Sequence, residues 1–158
     1  MAAKILIPLD GSEIGETALP YIEGLMSKLS PRVKLEFTLL QVVSLLTRYV
    51  AAGELMTPIS YTEKEMAQIQ RQARSYLNKV GKGIRSEKVS VEIRVEVGSA
   101  AEEIIKAADE INVDLIAMST HGRHGISRWA FGSVTDKVLR GGHKPVLVVR
   151  APKKAAQT

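Results

Sequence analysis

The sequence predicts a single α/β domain: an open parallel sheet of five strands with helices on both faces. Three observations carry this. Apolar runs of strand length alternate with stretches of helical periodicity from one end of the chain to the other. Most of those runs are near-continuous in apolar character, as strands covered on both faces are. Residues 114–134 pass from a short apolar run, through a loop carrying Gly122 and Gly125, into a helical pattern that opens at Gly132-Ser133-Val134. A strand, a glycine loop and a helix start read in one of two ways: as an anion site, because the helix N-terminus offers unpaired N–H groups and the positive end of its dipole, or as a plain connector in which the glycines turn a corner and Ser133 caps the helix.

The first strand is residues 4–9 (K-I-L-I-P-L), with Pro8 marking where ladder pairing stops. Asp10-Gly11-Ser12 turns the chain. Ser12 or Gly15-Glu16 then opens a helix to about Leu29, with Ala18, Ile22, Leu25, Met26 and Leu29 as its apolar stripe. Pro20 falls within the first turn or so, where a missing N–H matters least. Asp10 stands at the carboxyl end of a strand, so it either meets a ligand in the crevice or caps the helix that follows.

Residues 33–43 form the second strand, alternating first and continuously apolar later. Residues 44–61, with Gly53 and Pro58, read as a long irregular loop. Its Leu45, Leu46, Tyr49, Val50, Leu55 and Met56 are expected to cover the crevice or meet a partner chain. A long helix runs from Thr62 to about Val80, opened by a Thr62–Glu65 capping box and ended by Gly81 and Gly83.

Residues 89–97 alternate strictly, which predicts a third strand with one wetter face, as at a sheet edge. Gly98-Ser99 leads into a helix over 100–112, with a second capping box from Ser99 and Glu102. Residues 115–118 are the fourth strand. The fourth helix starts near Ser133 and stops at Gly141-Gly142. After Pro145, residues 146–149 (V-L-V-V) are the last strand. The domain covers 1–151, and 152–158 read as a disordered basic tail.

Composition narrows the function classes. The chain of 158 residues has no cysteine, which removes disulfides and thiol chemistry and fits a reducing, cytoplasmic setting. No apolar run is long enough to span a membrane, and none reads as a signal peptide. The net charge of +5 reads as solvated surface, and nucleic acid is not expected as a partner. There is no Walker sequence and no G-x-S-x-G nucleophile elbow. His121 and His124 are half a metal site at most, so no metal ligands are assigned. Arg123 and Arg128 are either surface charge or phosphate contacts, and Trp129 and Phe131 anchor the loop's end.

Ser119-x-x-Gly122, nine residues, then Gly132-Ser133 resembles the nucleotide-binding signature of the universal stress protein family. The family pattern is Gly, two residues, Gly, nine residues, Gly, then Ser or Thr. This chain matches it except at the first glycine, where it has Ser119. The Cβ of Ser119 restricts the backbone and stands where a ribose or phosphate would approach. Pro8-Leu9-Asp10-Gly11-Ser12-Glu13 and Lys144-Pro145-Val146-Leu147-Val148-Val149 also resemble the family's first strand and turn and its last strand.

The resemblance implies a Rossmann-like sheet of order 3-2-1-4-5, with Asp10 and the Ser119–Gly122 loop facing each other at the switch point. It implies binding of adenine nucleotide, ATP first. Pro8, Leu9 and Asp10 would lie beside adenine and ribose, Asp10 accepting from a hydroxyl. Val42 would line the adenine pocket, and Met118 and Ser119 would border the ribose. Gly122, Gly132, Ser133 and Val134 would cradle phosphates, with His121 and Arg123 close by. Mg or Mn would neutralise the phosphates, although no carboxylate pair for the ion is visible. No general base or nucleophile can be named, so slow ATP hydrolysis is the most the site would do.

The resemblance also implies a homodimer through residues 146–149 and a role in stress response or signalling. Two other readings stay open: a dimeric interaction module of the same fold that binds no nucleotide, and a small nucleotide-dependent enzyme using the same crevice.

Overall fold

The computed structural model describes residues 1–29, 32–44, 48–52, 55–120 and 131–151, with 29, 48–52 and 55–58 described through their backbone only. The chain runs β1 (Ala2–Pro8), a 3-10 turn (Gly15–Thr17), α1 (Ala18–Leu29), β2 (Lys34–Val43), β3 (Arg48–Ala52), β4 (Leu55–Ile59) and α2 (Glu63–Ile84). It continues as β5 (Val89–Val97), α3 (Ala100–Ile111), β6 (Leu115–Thr120), α4 (Ser133–Gly141) and β7 (Val146–Arg150). Expectations for Leu45, Leu46, residues 121–130 and the tail 152–158, and for the side chains of Tyr49, Val50, Leu55 and Met56, concern what lies outside this description.

The main sheet is parallel throughout, in the order β5-β2-β1-β6-β7. Counting only its own five strands, that is 3-2-1-4-5, as expected. Strand alternation assigns each residue of β1 to a face. Ile5 and Ile7 join Leu19 and Ile22 of α1 and Leu77 of α2 in one core. Leu6 joins Ala101, Ile104 and Ala108 of α3 and Val138 of α4 in the other. Ile5, Leu6 and Ile7 are all essentially inaccessible to solvent. Each such side chain contributes about 1.5–3 kcal/mol by leaving water, which is why β1 is uniformly apolar and sits at the centre.

Three expectations are corrected. Residues 44–61 are not irregular throughout: β3 and β4 form an antiparallel hairpin, pairing from Arg48↔Ile59 to Ala52↔Leu55. Pro58 fits there because each strand of a two-stranded ribbon has one unpaired edge. Next, α2 does not end at Gly81 and Gly83 but runs to Ile84. Gly81 is buried inside it, and a Cβ at that position would stand 3.1 Å from Val91 Cγ1 on β5, so the glycine lets helix and strand approach closely. Finally, Ser99 is the N-cap of α3 but makes no side-chain capping bond.

The Thr62–Glu65 capping box is present in both directions. Both β5 and β7 lie at sheet edges, as expected. No helix among the described residues is long and apolar enough to cross a membrane.

Candidate functional site

Connections from the sheet depart in opposite directions at β1 and β6, since β1 crosses over to β2 and β6 to β7. A crevice opens at the carboxyl ends of strands at such a switch point. Here it measures about 330 Å³. Of the twelve residues proposed from sequence, nine line it. Pro8, Leu9 and Asp10 come from the end of β1, and Val42 from β2. Met118 and Ser119 come from β6, and Gly132, Ser133 and Val134 from the start of α4. His121, Gly122 and Arg123 lie outside the described residues.

One wall is a loop built around Asp10. Its Oδ1 accepts from the Ser12 N–H at 2.9 Å and from the Ser12 hydroxyl at 2.5 Å. Ser12 Oγ in turn accepts from the Gly15 N–H at 3.1 Å. Gly11 holds φ +87°, a left-handed conformation that side chains disfavour. A Cβ at Gly15 would stand 2.8 Å from Asp10 Oδ1, so a larger residue there would require the carboxylate to shift. Among the described residues Asp10 Oδ2 has no hydrogen-bond partner, which leaves an acceptor directed by a rigid loop.

Ser119 braces this loop from the opposite strand. Its hydroxyl donates to the Gly15 carbonyl at 3.0 Å and accepts from the Ala18 N–H at 2.9 Å. The oxygen is therefore committed to the 3-10 turn and the start of α1. Behind the turn, the Tyr76 hydroxyl donates to Glu16 Oε1 at 2.8 Å. Burial first, and then the Glu16 carboxylate, hold that hydroxyl protonated well above the usual tyrosine range.

The facing wall is the N-terminus of α4. Gly132 is its N-cap, with no side-chain capping bond. The N–H groups of the first turn have no partner within the helix, and the dipole adds positive potential there. Among the described residues a Cβ built on Gly132 meets nothing within 4 Å. Between the walls, Leu40 and Val42 give the floor an apolar character.

Sequence reasoning did not assign Ile14, Gly15, Ala100, Ile104, Thr120 or Thr135 to the crevice, although they line it. For Ala100 and Ile104 a signal existed: Gly98-Ser99 opens a second helix at a strand's carboxyl end, one turn of which faces the same way. No group of three or more potential metal-ligating His, Cys, Asp or Glu side chains occurs among the described residues.

Residues 1–150 match the family model described as "Universal stress protein family". The chain belongs to the universal stress protein family. It is 30% identical over 158 residues to universal stress protein MJ0577 of Methanocaldococcus jannaschii, covering 95% of this chain and 96% of that one. A solved structure of MJ0577 superposes with a TM-score of 0.71 at 27% identity, covering 98% and 99% of the two chains. Two more distant neighbours share the fold. A universal stress protein solved in complex with cAMP gives a TM-score of 0.56 at 19% identity over 94% of this chain and 97% of that one. A family protein of Arabidopsis thaliana solved with AMP bound gives 0.57 at 15% over 95% and 92%.

Proposed function

We propose that the crevice binds adenine nucleotide, ATP first, and that the protein is a cytoplasmic homodimer whose stress-response or signalling state follows nucleotide occupancy. One observation carries this: an acid with a free oxygen and an uncapped helix N-terminus face each other across an apolar floor. A purine would lie on Val42, a ribose hydroxyl would donate to Asp10 Oδ2, and phosphates would lie on the first-turn N–H groups of α4 and on Ser133. Fold neighbours solved with cAMP and with AMP support the ligand class.

A divalent ion would be carried mainly by the phosphates, since Asp10 is the only acid on the crevice wall among the described residues. Among the described residues the crevice holds no histidine or lysine, and Asp10 is assigned to the ribose. The test is to purify the protein, release any bound ligand and identify it by absorbance and chromatography, then titrate ATP, ADP and AMP calorimetrically. ATP binding with a stoichiometry of one per chain is expected; absence of binding by all three would sink the reading.

Ser119 in the position of a family glycine favours the second reading, an interaction module without nucleotide. Its hydroxyl is turned into the wall rather than left in the ligand space, which weighs for the first.

A further inference from the structure

The outer face of α2 carries Arg71, Arg74, Lys79 and Lys82, all exposed, with Ser75 and Asn78 between them. Intervals of three and four residues set these six on one side of the helix, lining a single shallow groove. From 71 to 82 the stripe extends about 16 Å at 1.5 Å per residue. The opposite side of α2 buries Ala73, Leu77 and Gly81, so the basic side points straight into solvent.

The stripe has one sign. No Asp or Glu occurs from residue 66 to 86. Two arginines elsewhere do have acids beside them: Arg94 pairs with Glu96 and Glu110, and Arg140 with Asp136. None of the four stripe cations has an ion pair among the described residues. Like charges set along one helix face repel one another, so the row costs stability unless an anion covers it. Sequence alone read this charge as ordinary solvated surface. The structure adds that it is collected on one straight, uncompensated line.

We propose that this face of α2 binds the sugar–phosphate backbone of duplex nucleic acid, independently of base sequence. Arg, Lys, Ser and Asn are side chains that contact phosphate oxygens, and here they alternate along a straight line with no acid between them. A protein partner fits less well, because interface cores rely on aromatic anchors and are poor in Lys, and the stripe has no exposed aromatic or large apolar side chain. A membrane surface fits less well, because an interfacial helix needs its apolar face free, and that of α2 is spent on β2 and β5. Single strands would need stacking platforms, which are absent from the stripe.

The test uses the full chain and a fluorescent DNA duplex of about 20 base pairs, followed by anisotropy between 50 and 200 mM salt. Four phosphate contacts predict a log–log slope of about −3.6, an affinity loss of about 150-fold over that range. The double variant Arg74→Glu, Lys79→Glu should reduce the slope to a magnitude of about 1.8 or smaller, with a thermal melt that holds or rises slightly, because both side chains are exposed and the like-charge row is broken. Lys106→Glu, an exposed lysine on α3, should change nothing, and Gly132→Val should leave duplex binding intact while testing the crevice separately. No duplex binding at 50 mM salt with protein at tens of micromolar would overturn the proposal, as would equal binding by the double variant. Tighter binding of polyglutamate or of phosphatidylserine vesicles than of the duplex, abolished by the same variant, would also overturn it and assign the face to a protein or a membrane.

Discussion

The Ser119 hydroxyl on β6 accepts a hydrogen bond from the Ala18 N–H at the start of α1, 2.9 Å away and 101 residues earlier in the chain. The same oxygen donates to the Gly15 carbonyl. One side chain thereby ties β6 to the 3-10 turn and the start of α1, at the position where the family signature has a glycine.

Ser119→Ala should therefore cost about 1–2 kcal/mol, because it leaves the Ala18 N–H and Gly15 carbonyl without that partner in a partly buried place. Thermal denaturation should show a fall of a few degrees in Tm for a chain of this size. An unchanged Tm would mean that water replaces the hydroxyl at no cost.

Gly15→Ala should do more damage to the ligand site. The added Cβ would stand 2.8 Å from Asp10 Oδ1, so the carboxylate must shift and its bonds to Ser12 are disturbed. The expected cost is about 1–3 kcal/mol in stability, with ATP affinity reduced at least about tenfold. Calorimetric titration of wild type and variant under one set of conditions decides it; equal affinities would separate Asp10 from ligand binding.

Gly132→Val separates fold from binding. Its Cβ meets nothing within 4 Å among the described residues, at an ordinary φ of −58°, so the melt should stay within about 1 kcal/mol of wild type. The branched side chain would fill the position of the phosphates, and ATP affinity should fall by more than about tenfold. A fluorescent ATP analogue that binds both proteins alike would remove the phosphate site from α4.

Much of this site was legible from sequence, and particular residues show why the rest was not. Asp10 and Gly132 sit at a strand end and a helix start, which carry local signatures; Val42 came only from the family resemblance, and the strand order brings all three to one crevice. Ile14 and Thr120 carry no such signature and enter the crevice only through the geometry of crossovers. Gly81 read as a helix stop because glycine usually marks one, whereas here it answers to Val91 across a helix–strand contact invisible to periodicity. The β3–β4 hairpin was missed because Pro58 argues against a strand in any context except an unpaired edge. The bracing by Ser119 was missed because a serine reads the same whether its hydroxyl faces a ligand or a wall.

Alkaline pH gives a test of the Tyr76–Glu16 bond. Burial and Glu16 raise the folded-state pKa of Tyr76 above its ordinary value of 10.0. A group with a raised folded pKa contributes stability that is fully present below the unfolded pKa and is lost as pH climbs through the folded one. Near neutrality Tyr76→Phe should cost about 1 kcal/mol for the lost hydrogen bond. Above pH 10 the unfolded wild type ionises at this position and the variant cannot, so the wild-type advantage should shrink. Melts of both proteins at pH 8 and pH 10.5 measure this, and a constant difference would place no proton linkage on Tyr76.

The proposed homodimer would be built on β7. That strand pairs with β6 on one side only, and Val146, Leu147 and Val148 remain partly exposed. Its only charge is Arg150 at the very end, and an apolar edge such as 146–149 invites another strand unless something covers it. A second copy related by a two-fold axis would place β7 against β7 and extend the sheet across the interface. Light scattering in line with chromatography should give twice the chain mass of 17.2 kDa at micromolar concentration. Val148 lies level with Met118 and so points to the same face of the sheet, near the join. Val148→Lys would bring two like charges together across the axis while leaving β7's backbone donors in place. The mass should fall to that of one chain, with the melt at high dilution unchanged. A monomer in the unmutated protein would refute the arrangement, and a dimer untouched by Val148→Lys would move the interface away from β7.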